Sequence, residues 1–156
     1  MISASAIAIF QGTLEKVIAL AVFLPIISDM SGCAGNQAVA VSMRELTLGM
    51  VKPREVWHVW WKEVQVGLIN GLVLGLLIAA VAIFWKGTPW LGLVVGSALA
   101  INTIVAVSVG GLLPLLLKLL RRDPALASGP ILTTITDMCG FFLALGLATI
   151  LIQKLV

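Results

Sequence analysis

The chain has 156 residues, 60% of them hydrophobic and 11% charged, with a formal net charge of +3 and a mean hydropathy of +1.13. Those values define an integral membrane protein, leave no room for a separate soluble domain of ordinary size, and exclude nucleic acid as a partner. The small basic excess instead suits anchoring to anionic membrane lipid.

Met1–Phe10 is apolar but too short to cross a bilayer, and no Lys or Arg precedes it, so a secretory signal is a poor reading. It reads as the second half of a helix, followed by a short polar turn, Gln11–Lys16. Val17–Met43 is long enough to cross, yet Pro25, Asp29, Gly32, Gly35, Asn36 and Gln37 interrupt it. That pattern predicts a broken or unwound helix, which a membrane tolerates only where protein or a watery cavity surrounds it. Discontinuous helices of this kind often hold ion sites.

Arg44–Glu63 is the one substantial polar loop. Trp57, Trp60 and Trp61 beside Lys62 predict a short amphipathic piece at the headgroup level, with His58 an interfacial residue rather than a ligand. Val64–Trp85 is a clean span. Its Gly67, Gly71 and Gly75 form a small-residue stripe that lets two helices approach closely, and packing within the subunit is preferred to a dimer seam. Lys86–Pro89 is a tight turn between Trp85 and Trp90. Trp90–Leu117 spans again, and Asn102 within it predicts a helix-to-helix hydrogen bond. Lys118–Pro124 is a second basic loop, and the last span follows in Ala127–Val156.

The count is four complete spans plus half of one. Arg44, Lys52, Arg54, Lys62, Lys118, Arg121 and Arg122, seven of the ten basic residues, fall in two loops that the positive-inside rule places in the cytoplasm. Lys16, Lys86 and Lys154 then lie outside with the C-terminus.

Of the seven acids, Asp29 and Asp137 are read inside spans, and no span is read as holding a basic partner. An ionised carboxylate at membrane depth costs roughly 2.5 to 3.5 kcal/mol or more, so Asp137 is expected to face water, a cation or a partner. Gly129, Pro130, Thr133, Thr134 and Thr136 precede it. Pro130 frees a carbonyl one turn back, and the threonines line that part of the helix with hydroxyls. Oxygen of this kind suits a hard cation. The open choices are a protonated, hydrogen-bonded carboxyl, a proton relay or a cation site. Cys33 and Cys139 read as packed thiols, since no CxxC spacing is present. With no Ser/His/Asp set, HExxH or phosphate-binding Gly loop, enzymatic chemistry has nothing to rest on. Cation conduction or transport leads, and a purely structural membrane subunit is the alternative.

The run PIISDMSGCAGNQAVAVSMRELTLG and the later GGLLPLLLKLLRRDPALASGPILTTITDMCG resemble the transmembrane domain of the MgtE family of magnesium channels. The resemblance covers nearly the whole chain in order. It implies a homodimer of five-helix subunits, the first helix truncated here, with a Mg²⁺ pore on the dimer axis lined by the second and fifth helices. Residues 1–156 are then a single transmembrane pore domain in the plasma membrane, lacking the family's cytoplasmic N-terminal and CBS domains. Asp137 matches the central pore acid, and backbone oxygens at Thr133 and Gly129 are expected to face the same ion. The glycine-rich stretch from Gly32 to Gln37, with Gly35 and Asn36, shapes the pore wall, and Asp29, Thr134 and Thr136 are further lining candidates. Cys33 stands where an Asn is usual, and Gly129 where some relatives have a larger polar residue. A proton- or sodium-coupled divalent cation exchanger and a non-conducting membrane anchor are the competing readings.

Overall fold

The computed structural model describes residues 2–155, and it is 88% helix with no strands. In chain order the elements are α1 (Ile2–Ile9), α2 (Gln11–Lys16), α3 (Ala19–Thr47), α4 (Val56–Lys86), α5 (Pro89–Leu119), α6 (Pro124–Ile150) and α7 (Ile152–Leu155). Four stretches are long and apolar enough to cross a membrane: α3, α4, α5 and Ser128–Ile150 within α6. At about 1.5 Å per residue, the 31 residues of α4 or of α5 exceed the ~30 Å hydrocarbon core.

Local chemistry sets the ends. Pro89 and Pro124 open α5 and α6 at their first turns, where a missing N–H costs nothing. Asp123 caps α6 by accepting from the Ala125 N–H at 2.9 Å. Gly87, with φ +68°, closes α4 in the left-handed conformation, its N–H donating to Ile83 O at 2.7 Å.

α5 is the central helix. It packs on α3, α4 and α6, and Val94, Val95, Ala98, Leu99 and Ala106 on it are fully buried. α4 meets it through the expected glycine stripe. A Cβ on Gly71 would lie 2.6 Å from Ala100 O, and one on Gly75 2.7 Å from Gly96 O, so only glycine allows this approach. The opposite face of α4, including Ile69, Leu76 and Phe84, is exposed, as a lipid-facing surface should be. α1 packs along α6, and the Thr13 and Thr149 hydroxyls meet at 2.8 Å to fix α2 there.

Four expectations are corrected. α3 is continuous from Ala19 to Thr47 and does not unwind at Gly32–Gln37. Its glycines serve contact instead: Gly35 lies against Ala106 O of α5, and Gly110 of α5 lies against the Gly35 carbonyl. A continuous helix keeps its backbone groups bonded, which hydrocarbon demands. Gln11–Lys16 is helical rather than a turn. The loop read over Arg44–Glu63 shrinks to residues 48–55, because α3 runs on to Thr47 and Trp57–Glu63 form the first turns of α4. Glu63 of α4 and Glu45 of α3 therefore join Asp29 and Asp137 as acids within spanning helices; Glu63 is 3% exposed, and Lys62 is its basic neighbour in the same helix.

Candidate functional site: a polar cavity between α3 and α6

Helical spacing puts Ser28, Gly32 and Asn36 on one side of α3, and Thr133, Asp137 and Phe141, four apart, on one side of α6. The two faces meet and frame an open cavity of about 320 Å³, to which Asp29 and Cys33 also contribute. Asp137 is half-buried and Asp29 exposed. The Ser28 hydroxyl donates a hydrogen bond to Asp137 Oδ1, joining the two helices.

Behind the cavity, Asn102 of α5 is fully buried and bonds both neighbours. Its Nδ2 donates to Ser31 Oγ at 2.6 Å and to the Thr136 carbonyl at 3.1 Å, which is the helix-to-helix role expected of it. Ser31 in turn donates to Ile27 O at 2.7 Å. Asn102 Oδ1 and Ser42 Oγ are buried with no partner among the described residues. A Cβ on Gly140 would sit 2.8 Å from Asn102 Nδ2, so the carboxamide fits because that position is bare.

The site residues named from sequence divide into four groups. Asp137, Thr133, Thr136, Asp29, Gly32 and Asn36 share the cavity. Gly129 and Thr134 do not line it: Gly129 O accepts from the Thr133 hydroxyl at 3.1 Å, and Thr134 donates to Pro130 O at 2.9 Å. Gly35 is buried against α5. Gln37 faces a different groove, of about 410 Å³, between α3 and α4, where Asn70 joins it and Asp29 and Cys33 contribute again. Cys33 is thus an exposed thiol on a polar face, not a packed one; it and Cys139 are free.

Sequence reading missed three residues. Ser28 adjoins an acid, but nothing in its neighbours tells which carboxylate it bonds. Asn70 is the carboxamide midway along a span that is apolar from Val66 to Trp85 but for it, a signal that was legible. Glu63 packs against Gly111 near the Glu45–Lys62 ion pair, with Lys62 Nζ 4.0 Å from its own Oε1.

Among the described residues, no three His, Cys, Asp or Glu side chains gather closely enough to wrap a bare metal ion. The cavity offers carboxylate, hydroxyl and carboxamide groups that can bond water held on an ion, a looser form of recognition.

The fold and the site define a multi-pass helical membrane protein that keeps two carboxylates in a polar cavity between spanning helices. Residues 24–147 match the MgtE family, described as divalent cation transporters. The chain is 37% identical to the magnesium transporter MgtE of Bacillus subtilis over 155 residues, 99% of this chain. It is 36% identical to that of Thermus thermophilus over 153 residues, 98% of this chain. The chain belongs to the MgtE family. It spans about a third of the length of these relatives, 34% in both cases.

Proposed function

We propose that the chain is the single membrane-spanning pore domain of a magnesium transporter, conducting hydrated Mg²⁺ as a homodimer in the plasma membrane. The observation that carries this reading is Asp137, held by Ser28 and opening with Asp29 into one cavity. Asp29, Cys33, Asn36, Gln37 and Thr133 are exposed on α3 and α6, helices long enough to span. Polar side chains of this kind are not left facing lipid tails. A second copy apposed on that face shelters them and sets two Asp137 carboxylates about a shared axis. The loops around residues 48–55 and 120–123 then lie in the cytoplasm and the opposite end outside.

Mg²⁺ holds six oxygens at about 2.0–2.1 Å and sheds water reluctantly. Six waters at about 30 Å³ each fill roughly 180 Å³, and the cavity of about 320 Å³ has room for them. Asp137 supplies charge, the Thr133 hydroxyl oxygen and the Asn36 carboxamide oxygen accept from the bound waters, and release stays easy because no tight protein cage forms. Oxygen donors favour hard cations.

The test is Mg²⁺ uptake by the purified chain in liposomes, with thermal stability measured on the same preparation. Asp137→Ala should fold and lose most flux, and Asp137→Asn should lie near it. Undiminished uptake by a well-folded Asp137→Ala overturns the reading. Flux driven by the Mg²⁺ gradient and voltage alone separates a channel from a proton- or sodium-coupled exchanger.

A further inference from the structure

Away from the residues of the polar cavity, α4 and α5 leave an apolar groove of about 460 Å³ between them. Gly75, Gly92 and Gly96 make its floor, and Leu72, Leu76 and Leu93 stand exposed along its edges. None of its lining belongs to α3 or α6. Along α4 it extends from Leu72 to Ile83, eleven steps of about 1.5 Å or roughly 16 Å. That is about half of the ~30 Å hydrocarbon core, the depth of a single leaflet.

The groove has a charged end. Lys86 follows Ala79 by seven residues and Ile83 by three, so it continues the groove's own stripe of α4. Lys86 also lines a neighbouring pocket of about 230 Å³ with Lys16 and Thr88. Lys154 lies beside them, its Nζ 3.9 Å from the centre of the Trp90 ring. These are the three lysines that the two basic loops do not hold, and they gather at one end of the bundle. Among the described residues none of the three forms an ion pair. The nearby acid, Glu15, accepts from Gln11 Nε2 at 2.9 Å. Trp85 and Trp90 flank the turn, where amphipathic rings mark the headgroup level.

We propose that this face binds one anionic phospholipid, its phosphate on Lys86 and Lys16 and one acyl chain lying in the α4–α5 groove. An apolar groove one leaflet deep, ending in ammonium groups at headgroup height, matches both parts of that ligand. An ammonium is a compact donor of three hydrogen bonds, suited to phosphate oxygens. A lipid carrying its own choline brings a competing cation to the same place, so net negative headgroups are preferred. The site shares no residue with the Asp137 cavity and stands whether or not that cavity conducts.

The experiment uses the purified, delipidated full chain and native mass spectrometry. It compares phosphatidylglycerol with phosphatidylcholine of identical acyl chains. The wild type should favour phosphatidylglycerol about thirtyfold, the effect of placing two lysines by an anionic headgroup. Lys16→Gln with Lys86→Gln should reduce that preference to about twofold or less, while Lys16→Arg with Lys86→Arg keeps it. Both lysines are exposed, so unchanged thermal stability in lipid-free detergent verifies folding. Ser97→Phe fills the groove and should weaken binding of both lipids together. Equal binding of the two lipids, or a preference that survives the Gln pair, overturns the proposal. So does unweakened binding to Ser97→Phe, or displacement of the lipid by millimolar inorganic phosphate, which marks an ion pocket only.

Discussion

The Ser28 hydroxyl of α3 donates to Asp137 Oδ1 of α6, so the central acid of the cavity is held from the opposite helix. The bond occupies one carboxylate oxygen and leaves Oδ2 outside it. It also sets the spacing of the two helices that frame the site. A hydrogen bond to a charged group contributes about 1.5 to 3 kcal/mol, and a carboxylate fixed in one orientation loses less freedom on meeting a hydrated ion.

Ser28→Ala should therefore raise the half-saturating Mg²⁺ concentration about tenfold, one such bond's worth, with maximal flux per folded protein little changed. Ser28→Thr, which keeps a hydroxyl, should restore it. In an Asp137→Asn background, Ser28→Ala should have almost no further effect. Concentration-dependent uptake in liposomes measures all three. An unshifted Ser28→Ala, in a protein whose flux depends on Asp137, sinks the positioning role and leaves the cavity's role intact.

The glycine stripe offers a paired test of packing. Gly71→Ala drives a Cβ to 2.6 Å from Ala100 O, a contact that backbone cannot relieve cheaply. It should cost about 1 to 3 kcal/mol and lower the thermal midpoint. Gly12→Ala has open space around it and should stay within about 0.5 kcal/mol of wild type. Equal midpoints for the two variants in one detergent would remove the close α4–α5 approach from the account.

The spans were legible because hydropathy over twenty residues is a collective signal that no single residue can spoil. Asn102 was legible for a related reason: a carboxamide inside hydrocarbon must find partners, and neighbouring helices are the nearest ones. The continuity of α3 was not legible. Gly32, Gly35 and Pro25 are judged locally as breakers, whereas Gly35 is placed by Ala106 and Gly110, some seventy residues away in α5, and Gly32 lies near the Thr136 hydroxyl of α6. Ser28, Cys33 and Gly129 show the same limit at the site. Their residue types state what they can bond, and only the packing of α3 on α6 states which of them meet Asp137.

The second electrostatic prediction concerns the loop end of the bundle. Lys62 pairs with Glu45 of α3 and lies 4.0 Å from Glu63 Oε1. Lys62→Met should leave Glu63, 3% exposed, beside an acid with no cation. The cost should be about 1 to 2 kcal/mol, below the value for a fully buried pair because the Lys62 side chain is 41% exposed. Adding Glu63→Gln should recover most of it. Urea or thermal unfolding of the single and double variants measures this, and a double variant no better than Lys62→Met alone refutes the coupling.

Asn102 is the residue through which fold and site are most directly joined. It is fully buried, and its two donors hold Ser31 of α3 and the carbonyl of Thr136, the residue before Asp137. Interhelical hydrogen bonds in membranes contribute on average about 0.6 kcal/mol and at most about 1.7. Asn102→Leu should therefore lower stability by roughly 1 to 3 kcal/mol, since it also forces a branched side chain against Gly140. The effect on uptake should be larger than the fall in stability alone explains, because α6 loses the bond adjacent to Asp137 and the carboxylate shifts relative to Ser28. Asn102→Asp keeps the size but has at most one O–H where the amide has two N–H donors, so Ser31 Oγ or the Thr136 carbonyl loses its bond. It should impair both properties at least as much. A scaffold-only role makes a different forecast: flux per folded molecule stays at the wild-type level in Asn102→Leu. Measuring the folded fraction and Mg²⁺ uptake on one preparation at a temperature below the transition decides between them, and full flux from the folded fraction would show that Asn102 supports the bundle without setting the site.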